Sequence, residues 1–519
     1  MAQKIVIDPV TRIEGHLRVE VEIENGVVKD AWSSGTMFRG WEVLLQGKDP
    51  RDATYVTERV CGVCAGSHGW GSSLALDDAF GAQVPDAGRI LRNLMLGAMW
   101  LHDHPLHFYH LCALDYIDVM AVANYKGNDP GLLAVKDKIV KLVQAGDAAP
   151  LTPRYEPDQY CVNDPELATV AVSHYLKALE MQAKAKKMSA LFGGKQPHQS
   201  SIIVGGVTCY PNPQLVAQFR SLLMEQIEYL ENIYYKDVIA FGTGPLLPLA
   251  QSGLGGGKPN YLAFGGFPQD SEGKDLFFKR GLILNGNLSQ VMEVNIDKIT
   301  EEAKYAWYAV EEPLTPLKGN TEHKLDKPDA YSFIKAPRYD GEILEVGPLA
   351  RMMVMQPKAF MDLVEKYKIK PGVVARHAAR AVETIMLAHK MVEWLDELES
   401  LMNRGEVRIH DTAHWEVPES AQGAGLLEAP RGALAHYIDI KDKKIANYQM
   451  VVPSTWNLSP RDNKGNRGPV EEALIGVPVP DPKNPINLAR VIRSFDPCIS
   501  CAVHLIEPNT NEILKFKIS

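Results

Sequence analysis

Four cysteines stand in two C-x-x-C pairs near opposite ends of the chain, Cys61 with Cys64 and Cys498 with Cys501. Two intervening residues turn the backbone so that both thiolates of a pair can face one metal ion. Soft thiolates suit zinc, iron–sulfur clusters, nickel and low-spin iron, and the ligand type alone does not choose among these metals. We therefore predict one buried transition-metal centre that is built from both pairs and carries out redox chemistry.

A local structural zinc site is the simplest alternative for these cysteines. Zinc ribbons usually place about 15 to 20 residues between their two pairs. Here Cys498 lies 434 positions after Cys64. The predicted site therefore joins the two ends of the fold, which is unusual for a zinc ribbon.

The composition describes a globular protein without an obvious membrane or nucleic-acid role. Of 519 residues, 45% are hydrophobic and 23% charged. The net charge is −9, and no dense basic run is present, which argues against nucleic acid as a partner. The first ten residues lack the pattern of a signal peptide, and no apolar run reaches the roughly 18 residues that span a bilayer. We expect neither feature in this chain.

Seven cysteines, an odd number, do not indicate a disulfide scaffold. Cys112, Cys161 and Cys209 lack the paired spacing of the other four. We predict that these three are small buried hydrophobic residues.

The elements that must position the cysteines can be outlined from the pattern. Alternation at 17–23, followed by Asn25-Gly26, predicts a hairpin near the N-terminus. A second hairpin is predicted at 436–452 around the charged turn 441–444. Helices are predicted at 87–117, 166–192, 214–241 and 373–402, and surface excursions at 242–268 and 313–337. The fold class is α+β and mainly α, with a long central helical bundle and small sheets built from both chain ends.

Further sequence blocks surround the two cysteine pairs and extend over nearly the whole chain. The blocks are D-P-V-T-R-I-E-G-H-L (8–17), F-R-G-W-E (38–42), H-D-H-P-L-H-F-Y-H (102–110), K-A-P-R-Y (335–339), G-P-L-A-R (347–351), A-P-R-G (429–432) and V-P-S-T-W (452–456). Combined with R-x-C-G-x-C and D-P-C-x-x-C-x-x-H, they resemble the large, catalytic subunit of nickel–iron hydrogenases. The similarity is greatest to the respiratory, periplasmic group, close to the nickel–iron–selenium members.

The resemblance implies the hydrogenase large-subunit fold and the reversible, heterolytic cleavage of dihydrogen to protons and electrons. All four thiolates would bind nickel. Cys64 and Cys501 would also bridge to an iron that carries cyanide and carbon monoxide, whereas Cys61 and Cys498 would be terminal. Some relatives have selenocysteine at the position of Cys498, where this sequence has cysteine.

The resemblance also assigns Arg431, whose guanidinium would lie over the open metal position and be held by Asp103 and Asp496. An arginine pKa above about 12 makes it a poor base, so orienting dihydrogen is at least as good a role as deprotonating it. From the residues alone, a surface salt bridge is the alternative for Arg431.

Glu14 would relay protons from the terminal Cys498, because a buried carboxyl with a raised pKa can exchange protons near neutral pH. Its alternative is a salt bridge with Arg12 or Arg18. His68 would donate to a bridging sulfur, and its alternative is a core histidine bonded to a backbone carbonyl.

Two further sites follow from the resemblance. The diatomic ligands would lie in an apolar pocket with a few hydrogen-bond donors, and a magnesium ion would lie near the C-terminus with room for water ligands. The pocket would be formed by Pro430, Val452, Pro453 and Ser454, and the magnesium ligands would be Glu42, the carbonyl of Met450 and the imidazole of His504.

No further cysteine cluster is present to carry electrons away. The resemblance therefore implies a heterodimer with an iron–sulfur small subunit, which would pass electrons to a cytochrome or another acceptor. Export with that subunit would place the chain in the periplasm or at the periplasmic face of the membrane. Alternatives are a cytoplasmic hydrogenase coupled to a nicotinamide or deazaflavin partner, a relative of the quinone-site subunit of respiratory complex I, and a structural zinc protein.

The last fifteen residues, 505–519, contain nothing that resembles a catalytic element. A final strand pair or a frayed terminus is the plain interpretation. The resemblance implies instead that a maturation protease cuts after His504. On this view residues 1–504 form one domain and the rest is removed.

Overall fold

The computed structural model describes residues 3–148, 151 and 155–502. Long helices form its centre, where α4 packs against both α6 and α12. The helices are α1 (Trp41–Leu45), α2 (Asp52–Thr57), α3 (Ala65–Phe80), α4 (Asp86–Leu106), α5 (Pro130–Gln144), α6 (Pro165–Gly193), α7 (Pro213–Tyr229), α8 (Tyr235–Thr243), α9 (Leu247–Ser252), α10 (Pro348–Met355), α11 (Lys358–Tyr367), α12 (Val373–Arg404), α13 (Pro453–Asn457), α14 (Pro469–Leu474), α15 (Ile486–Ser494) and α16 (Ile499–Ala502).

The four predicted helices are confirmed, two of them with an interruption. Helix α4 continues into a π-helical turn at His107–Cys112, and a second such turn, Leu230–Tyr234, separates α7 from α8. Helices α6 and α7 begin where Asp164 and Asn212 accept hydrogen bonds from the first-turn amides, each followed by proline. No helix in the described part of the chain is long and apolar enough to cross a membrane.

Both predicted hairpins are also confirmed. β1–β2–β3 and β13–β14–β15 are antiparallel sheets. Their tight turns have positive φ at both central residues, Asn25-Gly26 and Asp442-Lys443, as type I′ turns require. The strands are β1 (Gln3–Ile7), β2 (Leu17–Glu24), β3 (Val27–Gly35), β4 (Ile202–Ile203), β5 (Gly206–Val207), β6 (Tyr261–Ala263), β7 (Gly266–Pro268), β8 (Leu276–Phe278), β9 (Gly281–Ile283), β10 (Ile299–Glu302), β11 (Ala336–Tyr339), β12 (Glu345–Val346), β13 (Ser420–Ala429), β14 (Gly432–Lys441) and β15 (Lys444–Val451).

The predicted surface excursions are wrong in part. Segment 242–268 contributes α9 and β6, and β6 is fully buried between β12 and β9. Segment 313–337 ends in the buried residues Ile334 and Lys335 before β11. Glycine and proline in these segments allow sharp turns and close contact between backbones. They do not indicate exposure here, because pairing with distant strands buries the backbone.

The two ends of the chain meet at the site. The amide of Glu14 donates to the Pro497 carbonyl, and the amide of Ile499 donates to the Glu14 carbonyl. On the other side, α3 lies flat against β13, where a Cβ at Gly425 would come within 2.2 Å of the Gly71 carbonyl oxygen. Together these contacts bring the start of α3 and the start of α16 to the same place.

Candidate metal centre

The four paired cysteines converge on one point inside the molecule. The Sγ atoms of Cys61 and Cys498 lie 3.3 Å apart, those of Cys64 and Cys501 3.1 Å, and those of Cys498 and Cys501 2.9 Å. All four side chains are at most 4% exposed, and none is in a disulfide. This arrangement matches four thiolates around a single metal site, as the two pairs predict.

Local backbone geometry explains the convergence. Cys61 is extended after a short 3₁₀ turn, and Cys64 lies directly before α3. Asp496 has a left-handed backbone with φ 55°, which turns the chain from α15 toward Cys498. Gly15 packs against this turn so tightly that an added Cβ would lie 2.8 Å from the Ser500 amide nitrogen.

The four buried thiols lie within hydrogen-bonding distance of one another, which affects their pKa values. Hydrogen bonds from Cys498 and its neighbours hold the pKa of Cys61 well below the ordinary thiol value. Burial raises the pKa of Cys498 and Cys501 well above it. Metal binding at this site must therefore displace protons, as it does wherever thiolates are the ligands.

Arg431 lies above the sulfur cluster in a two-residue turn between β13 and β14. It is buried, its Nη1 lies 3.2 Å from an Asp103 oxygen, and its Nε lies 3.2 Å from an Asp496 oxygen. Burial opposes the charge, but Asp496, Cys498 and Asp103 together raise the pKa of Arg431 well above its ordinary value. Arg431 is therefore a fixed cation at the site and not a surface salt bridge.

A small enclosed cavity adjoins the sulfur cluster. Pro453 and Ser454 are among its walls, and Val452 lies buried directly before them. The Ser454 hydroxyl oxygen accepts a hydrogen bond from the Cys498 amide at 2.9 Å. The lining residues are Cys64, Ser67, His68, Ala429, Arg431, Leu434, Pro453, Ser454, Cys498 and Cys501.

Glu14 is in direct contact with the terminal cysteine. Its Oε2 accepts from the Ser500 amide at 2.9 Å and lies 3.3 Å from the Cys498 sulfur. Burial, together with the charge on Cys61, raises the pKa of Glu14. The alternative salt bridges are not formed, since Arg12 pairs with Asp115 and Arg18 with Glu20.

His68 connects the cluster to a chain of polar side chains that the sequence did not reveal. Its Nε2 lies 3.3 Å from the Cys501 sulfur, and its Nδ1 lies 3.2 Å from Nε2 of His436. The Tyr448 hydroxyl lies 2.8 Å from Nδ1 of His436. The sequence predicts His436 only as a strand residue, and no local pattern distinguishes it, because nearly every residue of β14 is buried.

The predicted magnesium ligands are brought together only in part. Glu42 is buried, and its Oε1 accepts from the Met450 amide at 2.9 Å. His504 lies outside the described residues. Four polar neighbours were not predicted as part of this site, and they enclose Glu42 in a buried network: Thr321, Gln449, Lys335 and Glu301.

A second group of potential ligands lies away from the cysteine cluster. His107, Cys112 and His377 are buried close together, but His107 Nε2 donates to the Arg493 carbonyl at 2.7 Å. Burial and the nearby Arg380 lower the pKa of both histidines, and burial raises the pKa of Cys112. A cation-rich surrounding disfavours a metal ion, so we interpret the group as core.

The three unpaired cysteines behave differently from one another. Cys112 is buried, as predicted, whereas Cys161 and Cys209 are only half-buried.

Four buried thiols that converge on one point, with a guanidinium and a carboxyl beside them, could hold a soft metal ion. Comparison with known proteins gives the family. The sequence model of nickel-dependent hydrogenases matches residues 39–504, and a HoxL-like model matches residues 4–34. The chain belongs to the nickel-dependent hydrogenase family, and its activity is the oxidation or production of dihydrogen at a nickel–iron site.

Similar proteins support the assignment over the full length. The periplasmic [NiFeSe] hydrogenase large subunit of Desulfomicrobium baculatum is 40% identical, over 98% of this chain and 96% of that protein. The uptake hydrogenase large subunit of Bradyrhizobium diazoefficiens is 38% identical, over 99% and 97%. The Ni-Fe-Se hydrogenase structure from Desulfovibrio vulgaris Hildenborough superposes with a TM-score of 0.85 at 42% identity, over 97% of this chain and 100% of that one. The predicted fold class is confirmed.

Proposed function

We propose that this chain is the catalytic large subunit of a nickel–iron hydrogenase that cleaves dihydrogen heterolytically and reversibly. The observation that carries the proposal is the convergence of four thiolates beneath Arg431, with Glu14 in contact with Cys498. When bound, a nickel–iron pair would polarise dihydrogen and accept its two electrons. The soft, anionic donor set fits such a pair.

The cavity separates only Cys61 from the other thiolates. Cys64, Cys498 and Cys501 line it, whereas Cys61 does not. We propose that Cys64 and Cys501 would hold both nickel and an iron that carries cyanide and carbon monoxide, and that Cys61 and Cys498 would hold nickel alone. Pro453 and Ser454, in the cavity wall, would surround the diatomic ligands. Pro430 lies directly before Arg431 in the turn above the cavity.

Protons would leave through Cys498 and Glu14. The thiolate is the base nearest to dihydrogen, and Glu14 is the carboxyl that can take the proton from it at 3.3 Å. Because its pKa is raised, Glu14 holds a proton at a higher pH than an ordinary glutamate.

Glu14→Gln is expected to lower turnover by roughly 100-fold, because general acid–base steps contribute about 10² to 10⁴ in rate. Nickel content should stay at the wild-type level, since Glu14 is not a ligand, and Glu14→Asp should keep part of the activity. The assay is hydrogen–deuterium exchange on the purified enzyme. Glu20→Gln, a surface carboxyl beside Lys4 and Arg18, is the matched control. Wild-type exchange in Glu14→Gln would place the relay elsewhere.

Electrons would leave on the side of the first cysteine pair. Between Cys61 and Cys64 the backbone reaches the surface, where Gly62 is exposed and Val63 half-buried. The exposed Tyr55 lies nearby, with the Arg59 guanidinium stacked on its ring. We place the iron–sulfur small subunit here, and a cytochrome or another acceptor would receive electrons from it.

The names of the relatives support periplasmic placement, since one is called periplasmic and another an uptake enzyme. We propose that the chain is exported together with its small subunit.

A magnesium ion would be held by Glu42, the Met450 carbonyl and His504. The buried acidic side chain of Glu42 fits a hard cation.

Maturation completes the proposal. We infer that a protease removes residues 505–519 and leaves His504 as the C-terminus of one domain, 1–504. The family match, which ends at residue 504, supports this cut.

The intact mass of the large subunit in active, purified enzyme is expected to correspond to an end at His504. Mass spectrometry of the denatured enzyme measures this directly. Active enzyme that retains Ser519 would contradict the cut and remove the support for His504 as a magnesium ligand. An inactive His504→Ala chain would not by itself separate the two roles, so the mass is the decisive measurement.

A further inference from the structure

A second buried arginine, Arg351, donates hydrogen bonds to the backbone just before Arg431. Ala429 and Gly432 are paired at the end of β13 and β14, which leaves Pro430 and Arg431 as a two-residue turn. Such a turn has few backbone hydrogen bonds of its own to fix it. Arg351, in α10, donates from Nη1 to the Ala429 carbonyl at 3.0 Å and from Nη2 to the Pro430 carbonyl at 2.8 Å.

The guanidinium of Arg351 is itself rigidly fixed. Nε and Nη2 form a two-pronged pair with Glu383 in α12 at 2.9 and 2.7 Å, and Nη1 also donates to Glu428. All five N–H groups of Arg351 thus donate hydrogen bonds, two of them to the carbonyls of Ala429 and Pro430. The three side chains are fully buried, and the guanidinium lies 4.4 Å from the centre of the Trp100 ring.

Backbone contacts press the same two segments together. A Cβ at Gly347, where φ is 120°, would lie 2.9 Å from the Arg431 carbonyl oxygen. A Cβ at Gly432, where φ is 134°, would lie 2.6 Å from the Gly347 amide nitrogen. The two sequence blocks G-P-L-A-R and A-P-R-G therefore form one packed unit.

We propose that Arg351 is a positioning residue that sets where the Arg431 guanidinium lies over the metal centre. It reaches no reacting atom, and it acts by fixing the two carbonyls that precede Arg431. A lysine cannot replace it, since a single ammonium group with three donors cannot hold two carbonyls and two carboxylates in one plane. The inference rests on the proposed role of Arg431.

The test is a double-mutant cycle with Arg351→Lys and Arg431→Lys, measured as hydrogen turnover at wild-type nickel content. Arg351→Lys alone is expected to lower turnover about tenfold and to shift the infrared bands of the diatomic ligands. In the Arg431→Lys background, Arg351→Lys should lower hydrogen turnover less than about twofold. The reason is that Arg351 acts by positioning the Arg431 guanidinium, which this background lacks. Arg338→Lys is the control: Arg338 is equally buried and also donates to backbone carbonyls, at Pro337 and Pro460, away from this turn.

Each outcome decides the inference. Three results would overturn the inference and leave the proposed role of Arg431 intact. They are a turnover loss in the double variant equal to the product of the two single losses, infrared bands that do not shift in Arg351→Lys, and a turnover loss in Arg338→Lys equal to that in Arg351→Lys. Wild-type turnover in Arg431→Lys would instead remove that role, and the inference with it. If Arg351→Lys does not accumulate, Glu428→Gln replaces it, since this change keeps an acceptor for Arg351 but removes a charge. A two- to fivefold loss that disappears in Arg431→Lys is then expected, and an undiminished loss would overturn the inference.

Discussion

Replacing Cys501 by serine is expected to abolish hydrogen turnover and to leave the purified chain without bound nickel. Cys501 lies within 3.1 Å of the Cys64 sulfur and 2.9 Å of the Cys498 sulfur, so its thiolate is central to the cluster. A hydroxyl is a harder and less acidic donor than a thiol and does not supply a soft anionic ligand. Activity and nickel content of the same preparation check the expectation.

Cys209→Ser is the matched control for this change. Cys209 is half-buried and lies outside the cluster, so the same replacement of sulfur by oxygen should leave nickel content and activity close to wild type. A fully active Cys501→Ser enzyme with full nickel content would contradict the assignment of the ligands.

Arg431→Lys is expected to assemble the metals and yet to lose about 100-fold in turnover, equivalent to ~2.7 kcal/mol of transition-state stabilisation. The reason is geometric. The planar guanidinium contacts Asp103 and Asp496 at once, at 3.2 Å each, and still faces the cluster, which a compact ammonium cannot do.

Comparison of kcat with nickel content in wild type and Arg431→Lys measures this effect. Arg461→Lys provides a control, because Arg461 pairs with Asp30 away from the site. Undiminished turnover per nickel in Arg431→Lys would reduce Arg431 to a structural ion pair.

The parts of the fold that were predictable are those encoded locally. The apolar stripe of α12 and the turn residues Asn25-Gly26 and 442–443 are signals contained within short segments, and each produced the predicted element. The two cysteine pairs predicted a shared metal site, because C-x-x-C spacing lets both thiolates of a pair face one metal ion.

The parts that were missed depend on contacts between distant segments. β6 is buried because Tyr261 pairs with Glu345 in a parallel register. No residue near Tyr261 in the sequence indicates this distant partner. The same holds for the contact between Arg351 and the Pro430 carbonyl, and for the one between His68 and His436. The family resemblance supplied the roles of Glu14 and Arg431, which the spacing of residues alone left open.

Elemental analysis of the active enzyme, purified with its partner and counted per large chain, determines which metal this chain binds. It is the wild-type reference for the cysteine experiment. We expect one nickel per chain and no stoichiometric zinc, because the chain belongs to the nickel-dependent hydrogenase family and offers four buried thiols that could hold one metal ion. Zinc in place of nickel, or full activity without nickel, would contradict it.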